Sequence, residues 1–180
     1  MIDLRFNTLP SSLEVGGSFF RVHTDFRVWL QFGEYFSERI PWDGIFVEAP
    51  NADPDDWLPA ALEFYKSENV TPRSSETISD RIIDCILDGD YIVASFQAVY
   101  GIDLTNPALE MHWHRFKALL VGLPDNCKLA KIMSYRAYVK KPYDHDKEMR
   151  KLKEAWALPD EQAESEKDAV LQWAEEFFGE

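Results

Sequence analysis

Apolar residues recur at spacings of three and four through most of this sequence, and proline or glycine separates one series from the next. That spacing gathers side chains on one face of an α-helix, whereas a strand requires alternation at every second residue. The clearest series begins after Asn106-Pro107, a typical helix start, and its apolar positions are Leu109, Trp113, Phe116, Leu120 and Leu123. The pattern predicts a mainly α protein with the helix over 107–123 at the centre of its core.

The same periodicity predicts further helices on both sides of this one. The first has Thr24 as its N-cap and ends near Arg39, and the second begins within 53–56, where the first turn has spare N–H groups and tolerates Pro59. A third helix is predicted from a series of isoleucines, Ile78, Ile82, Ile83 and Ile86. The fourth presents Ile92, Ser95, Phe96 and Val99 and stops at Tyr100-Gly101.

After the central helix, Asp125 is expected to cap another helix, with Leu129, Ile132, Met133 and Arg136 on one side. A charged helix near 144–156 follows. Residues 12–22 are instead two short β-prone runs joined by Gly16-Gly17, which predicts a small hairpin. We therefore expect a compact domain of about six helices with this hairpin over 1–158, and an acidic amphipathic helix or tail over 159–180.

The distribution of charge divides the chain into three parts. The net charge of −13 opposes nonspecific binding to nucleic acid or to an anionic membrane, yet residues 115–153 carry 11 basic and 4 acidic side chains. One interpretation is a solvated helical face that neutralises its acidic neighbours. The other is a basic stripe that docks an acidic surface of another subunit or partner, formed by Arg115, Lys117, Lys128, Lys131, Arg136, Lys140 and Lys141.

The segment after Pro159 carries large aromatic residues in an acidic context. Trp173, Phe177 and Phe178 lie in a stretch whose net charge is −7 from Asp160 onward. An amphipathic helix with such anchors can occupy the groove of a partner, and it can equally fold back onto its own domain. Both alternatives stay open at this point.

Catalytic and metal-binding patterns are weak in this sequence. On a helix His112 and His114 would differ by about 200° and point to nearly opposite sides, which argues against a shared zinc ion. The carboxylate pairs Asp53/Asp55 and Asp88/Asp90 fit helix starts, and Cys85 and Cys127 are too isolated for a zinc or disulfide motif. We expect a non-enzymatic protein without metal or cofactor, and its lack of a long apolar run or a secretory signal suggests a cytoplasmic location.

A longer pattern spans the middle of the chain. Residues 90–96 (DYIVASF) are followed by YGIDL at 100–104, His112-Trp113, residues 116–119 (FKAL), GLP at 122–124 and then Arg136. In this order they resemble the phage gene product fifteen family of tail-region proteins, and the similarity extends from the hairpin to about residue 153. The family has no established catalytic residues to transfer to this chain.

The resemblance implies a siphophage or prophage protein encoded near the tape measure protein and acting as a tail assembly chaperone in the bacterial host cytoplasm. Its expected partners are the tape measure protein or other tail proteins, with homo-oligomers as a further option. The main alternative is a structural virion subunit such as a tail connector or completion protein. Two others are a metal-dependent hydrolase using His112 or His114, and an acidic DNA mimic.

Overall fold

The computed structural model describes residues 9–66, 82–139 and 146–158. Six α-helices and one two-stranded antiparallel sheet lie within these residues, which confirms the mainly α prediction with a small hairpin. The strands are β1 (Ser12–Val15) and β2 (Ser18–Arg21), and the helices are α1 (Phe26–Ser37), α2 (Pro54–Lys66), α3 (Gly89–Tyr100), α4 (Trp113–Val121), α5 (Lys128–Arg136) and α6 (Lys147–Trp156).

The described residues fall into two compact units. The first contains residues 9–66 and 110–118, and the second contains residues 82–109, 119–139 and 146–158. The predicted boundary at residues 158–159 stays a prediction, because the acidic segment 159–180 lies outside the described residues. Within the described part of the chain, no helix is long and apolar enough to cross a membrane.

The hairpin forms where the sequence predicts it. Gly16 and Gly17 both have positive φ angles, 57° and 79°, which is the conformation that a tight two-residue turn requires. The strands pair in register from Ser12 opposite Arg21 to Val15 opposite Ser18. Leu13 and Val15 are buried on one face of the hairpin, which anchors it to the first unit.

Helices α1 and α2 differ from their predictions at their first residues. The cap of α1 is Asp25 instead of Thr24, because the Asp25 carboxylate accepts a hydrogen bond from the Arg27 N–H at 3.0 Å. Helix α2 starts at Pro54, so Pro59 lies beyond the first turn and the predicted reason for its tolerance is wrong. Its missing N–H removes one hydrogen bond inside the helix.

Stacked aromatic rings fill the core of the first unit. Trp29 is fully buried, stacks on Phe64 with ring centroids 4.3 Å apart, and donates its Nε1–H to the His23 carbonyl at 2.7 Å. Phe26 stacks on Phe116 at 4.7 Å. Gly33 allows α1 to approach α2, since a Cβ there would collide with the Tyr65 hydroxyl.

The predicted helix over 107–123 begins six residues later than expected, at Trp113. Asn106 does accept a hydrogen bond from the Ala108 N–H at 2.9 Å, but this closes a turn. The backbone before Trp113 is extended because it pairs with the entry to α1. The Phe26 N–H donates to the Met111 carbonyl at 2.9 Å, and the Trp113 N–H donates to the Thr24 carbonyl at 2.7 Å.

The second unit corrects two further predictions. Residues 82–88 are not helical, and the Asp84 carboxylate explains why: its Oδ1 accepts the N–H groups of Ile86 and Leu87 at 2.7 and 2.8 Å, which closes a turn. Ile78 lies outside the described residues. Helix α5 is capped by Cys127 instead of Asp125, and the described part of the charged helix begins at Lys147 with Asp146 as its cap.

Helix α3 follows the prediction closely. Its apolar positions Ile92 and Phe96 are buried, and Gly101 ends it in the left-handed conformation with φ 66°. Between α1 and α2, residues 38–53 contain one 3₁₀ turn, Asp43–Ile45, and bury Ile45 and Phe46.

We expect Trp113→Ala to lower the free energy of unfolding by about 3–5 kcal/mol. Trp113 is 4% exposed, stacks on Tyr65 at 5.1 Å and donates its Nε1–H to the Tyr65 carbonyl at 3.0 Å. Phe19→Ala is the matched control, because Phe19 is 74% exposed and its removal should cost less than about 0.5 kcal/mol. Equilibrium denaturation checks both variants. A loss below about 1 kcal/mol for Trp113→Ala would contradict the packing described above.

Candidate interaction surface

The structure separates the residues of the predicted basic stripe. Arg115 and Lys117 belong to the first unit, whereas Lys128, Lys131 and Arg136 lie on α5 in the second. Five of the predicted partner-binding residues lie outside the described residues, namely Lys140, Lys141, Trp173, Phe177 and Phe178. The described members of the stripe therefore belong to two units, and they differ in exposure.

Arg136 is an interior residue of the second unit. Its side chain is 8% exposed, and its guanidinium pairs in bidentate fashion with the Asp88 carboxylate, Nη1 to Oδ2 at 2.5 Å and Nη2 to Oδ1 at 2.9 Å. Its Nε donates to the Trp156 carbonyl at 2.6 Å, and Nη1 also donates to the Ile82 carbonyl at 3.2 Å. Arg136 thus joins the end of α5 to the start of α3 and the end of α6, and its side chain is buried within the second unit, whereas its contact with a partner stays a prediction.

Two buried carboxylates complete this network. Asp88 precedes α3, yet its side chain does not cap the helix; its Oδ2 accepts the Asp84 N–H at 2.9 Å in addition to the guanidinium of Arg136. Asp84 in turn holds the turn over Ile86 and Leu87. The expectation that Asp88 acts as a helix cap is therefore corrected, since its charge is used to compensate a buried cation.

Helices α5 and α6 together carry an excess of positive charge. Helix α5 contains three cations and no carboxylate, and α6 contains four cations and two carboxylates. Lys128 lies over the Trp156 ring at 4.4 Å, and Lys153 donates to the Tyr138 carbonyl at 3.1 Å. Lys131, Lys147 and Lys151 are exposed. We call the exposed lysines Lys128, Lys131, Lys147 and Lys151 the basic surface of the second unit.

Lys117 is only partly available on the first unit. It is half-buried, its Nζ donates to the Tyr65 carbonyl, and it lies over the Trp113 ring at 5.0 Å. Burial lowers the pKa of Lys117 to about 8. Its ammonium is directed into the aromatic cluster, which leaves Arg115 as the exposed cation of α4 within the first unit.

His112 and His114 lie side by side, with ring centroids 5.1 Å apart. The argument that they point to opposite sides of a helix is wrong, because His112 precedes α4 and only His114 lies inside it. The His112 Nδ1 accepts the His114 backbone N–H at 3.1 Å, so its Nε2 carries the hydrogen that is donated to the Pro10 carbonyl at 2.8 Å. His112 is thus the N-cap of α4 in its neutral form.

His114 is buried and neutral. Its Nε2–H donates to the Phe64 carbonyl at 3.0 Å, while its buried Nδ1 has no hydrogen-bond partner among the described residues. Burial lowers the pKa of His114 to about 4, and it also lowers the pKa of His112. In the described ranges no three His, Cys, Asp or Glu side chains are grouped as metal ligands. Cys85 and Cys127 form no disulfide within the described residues, and both are of intermediate exposure.

One protein-family comparison gives a match. The family model described as "Bacteriophage Gp15 protein" matches residues 59–158, which is more than half of the chain. The match contains the Asp88–Arg136 pair and all four lysines of the basic surface. No curated protein and no solved structure matches the chain.

We expect Arg136→Met to lower the free energy of unfolding by about 3–5 kcal/mol, because it leaves Asp88 charged, buried and without its cation. Lys131→Met on the same helix is the matched control and should change stability by less than about 0.5 kcal/mol. The double variant Asp88→Leu/Arg136→Met should cost less than the sum of its two single variants. Urea denaturation measures all four, and an equal effect of Arg136→Met and Lys131→Met would contradict the interior role of Arg136.

The neutral histidines predict acid sensitivity of the first unit. Because burial lowers the pKa of His114 from its ordinary 6.5 to about 4, the neutral ring contributes fully to the free energy of unfolding above pH 6.5, and this contribution is lost as the pH falls toward 4. At 1.36 kcal/mol for each pKa unit, the loss approaches about 3 kcal/mol. His114→Gln keeps a donor for the Phe64 carbonyl but removes the imidazole. Between roughly pH 7 and 5, its free energy of unfolding should therefore change less than that of the parent, which denaturant midpoints at each pH measure. Identical profiles for variant and parent would refute this assignment.

Proposed function

Because the chain belongs to the bacteriophage Gp15 family, we propose that it is a non-enzymatic protein that binds tail components during phage tail morphogenesis in the host cytoplasm. The proposed partner is the tape measure protein of the same phage or prophage, and the proposed role is that of a tail assembly chaperone. Family membership supports the proposed role in phage tail morphogenesis. The basic surface of the second unit supports the proposed binding of a tail protein.

The basic surface has the properties of a docking surface for an acidic partner. The chain as a whole has a net charge of −13, so a local excess of cations on α5 and α6 is a strong departure from its surroundings. Arg136 is neutralised internally by Asp88, whereas Lys131 and Lys151 are exposed. Exposed charges of one sign accelerate encounter with an oppositely charged surface and make binding dependent on salt.

A chaperone of this type would act by stoichiometric binding. A tape measure chain is long, helical and apolar enough to aggregate, and many copies of a small acidic protein can cover it until tail tube subunits replace them. Each contact can be weak, because an array of contacts on one chain raises the effective concentration of the next. The net negative charge of the bound copies would keep the assembly in solution.

The acidic segment 159–180 is the second proposed element of partner binding. Its net charge of −7 is complementary to the basic surface, and Trp173, Phe177 and Phe178 supply apolar anchors. We propose that it docks on the basic surface of a neighbouring copy when no tail protein is bound. This would make self-association and partner binding mutually exclusive.

The alternative function is a structural virion subunit, such as a tail connector or completion protein. The two roles differ in whether the protein is present in the finished particle: a chaperone leaves before assembly is complete, and a subunit remains. Mass spectrometry of purified virions distinguishes them. Stoichiometric amounts of the chain in the particle would reject the chaperone proposal in favour of the structural one.

We expect the double variant Lys131→Glu/Lys151→Glu to weaken binding of the tape measure protein roughly tenfold at low salt, as two exposed ion pairs contribute about 0.2–1 kcal/mol each. Both lysines are exposed, and the stability of the chain should stay within about 0.5 kcal/mol. Arg21→Glu is the matched control, because it reverses an exposed cation on β2.

Co-expression of the two proteins, followed by co-purification at low and high salt, measures the effect. Parent and Arg21→Glu proteins should retain the partner at low salt and lose it at high salt. Equal retention by the double variant would reject the basic surface as the docking site. A tape measure protein that stays soluble without this chain, and never co-purifies with it, would reject the chaperone function itself.

A further inference from the structure

Two large aliphatic side chains of the second unit are exposed close to its interior ion pair. Ile86 is 69% exposed and Leu87 is 57% exposed, and the two are consecutive in the chain. A single exposed apolar residue is common on a protein surface, whereas neighbouring ones that form a patch indicate an interaction site. We call Ile86 and Leu87 together the apolar turn.

The backbone of the apolar turn is held by buried charged groups. The Asp84 Oδ1 accepts the N–H groups of Ile86 and Leu87 at 2.7 and 2.8 Å. The Asp84 N–H donates to the Asp88 Oδ2 at 2.9 Å, and Asp88 is fixed by its bidentate pair with Arg136. The two aliphatic side chains are therefore presented from a fixed backbone. Groups that are already ordered lose less conformational entropy when a partner binds.

Helix α3, which follows the apolar turn, extends the uncharged surface. Asp90 is the single charged residue among its twelve, although 28% of the chain is charged. Its exposed residues beyond Asp90 are Ala94, Gln97, Ala98 and Val99. A partner that covers such residues does not have to remove a charge from water, which is the costly step in burying a polar surface.

The exposed lysines of α5 lie within a short distance of the apolar turn. Arg136, at the end of α5, contacts Asp88, which is the residue after Leu87. With a rise of 1.5 Å per residue, Lys131 and Lys128 lie about 7 and 12 Å from Arg136 along the helix axis. A helix of about 15 residues spans roughly 22 Å, so one such helix can contact both the apolar turn and the lysines.

We propose that the apolar turn and the basic surface of the second unit form one docking surface, and that its occupant is an amphipathic helix of a phage tail protein with an acidic face. This inference rests on the proposed function and names the kind of segment that the surface binds. Carboxylates of the occupant pair with the lysines, and its apolar side chains cover Ile86 and Leu87. Charge complementarity selects an acidic helix over a basic one.

The double variant Ile86→Thr/Leu87→Gln tests the apolar part of this surface. Both replacements are polar, and both keep the backbone N–H groups that donate to Asp84. We expect the affinity for the tape measure protein, immobilised as a soluble fusion, to fall at least about tenfold, because two aliphatic side chains are no longer buried on binding. The fall should be the same at every salt concentration, since no charge is changed.

A matched pair of single variants controls for the loss of any exposed aliphatic side chain. Ile86→Thr and Val121→Thr each replace an exposed β-branched residue of the second unit by threonine, at 69% and 64% exposure. The first should weaken binding roughly fourfold and the second less than about twofold. Urea midpoints equal to that of the parent show that both variants are folded. Equal affinities of the two variants would overturn the role of the apolar turn.

A salt series separates the basic part from the apolar part. Lys131→Glu/Lys151→Glu should make the affinity less dependent on salt than that of the parent, because two exposed ion pairs are removed. Ile86→Thr/Leu87→Gln should lower the affinity and leave the salt dependence unchanged. A variant of the apolar turn that alters only the salt dependence would overturn the division of the surface into these two parts.

The failure of this inference is distinguishable from the failure of the proposed function. A parent protein that binds no tail protein at any salt concentration overturns both. A parent that binds, together with an unchanged affinity of Ile86→Thr/Leu87→Gln, overturns the present inference alone. If that variant instead lowers the mass of the free protein in light scattering and leaves its affinity for the tape measure protein unchanged, the apolar turn joins two copies of this chain and the proposed occupant is wrong.

Discussion

The bidentate ion pair between Arg136 and Asp88 is the interaction on which the second unit depends. Removing both charges from water is costly, and further hydrogen bonds from the guanidinium help to offset this cost. The Trp156 and Ile82 carbonyls accept two of them, and the Asp84 N–H completes the environment of the carboxylate. The side chain of Arg136 thereby holds Ile82, Asp88 and Trp156 together.

This interior pair also determines which cations can act outside. Arg136 shares α5 with Lys128 and Lys131, yet its charge is cancelled by Asp88 and contributes little to the field at the surface. The exposed lysines Lys128 and Lys131 share α5 with no carboxylate. One helix therefore combines a structural cation on its inner side with cations on its outer side that are available for long-range attraction.

The sequence places Arg136 in two patterns that conflict. At helical spacing it lies on the same side of its helix as Leu129 and Ile132, whereas the distribution of charge assigns it to the basic stripe. What sequence could not supply was the partner, because Asp88 is 48 positions away. Sequence patterns predicted the structure correctly where neighbouring residues determine it, as in the Gly16-Gly17 turn and the Gly101 helix end. They failed at Asn106-Pro107, where the backbone before Trp113 pairs with the distant entry to α1 instead of forming a helix.

The two histidines show how one misplaced boundary changes a chemical conclusion. Residues two apart face opposite sides only if both lie inside the helix. The backbone up to Trp113 is extended, because the Trp113 N–H pairs with the Thr24 carbonyl, and the helix begins only at this residue. The His112 side chain then caps α4 by accepting the His114 N–H. The His114 side chain, inside the first turn of α4, donates to the Phe64 carbonyl. Adjacent imidazoles would suggest a metal site, but the His112 Nδ1 already accepts the His114 N–H, and its Nε2–H is donated to Pro10. Their proximity is therefore explained by backbone hydrogen bonding, which requires a neutral ring at His112.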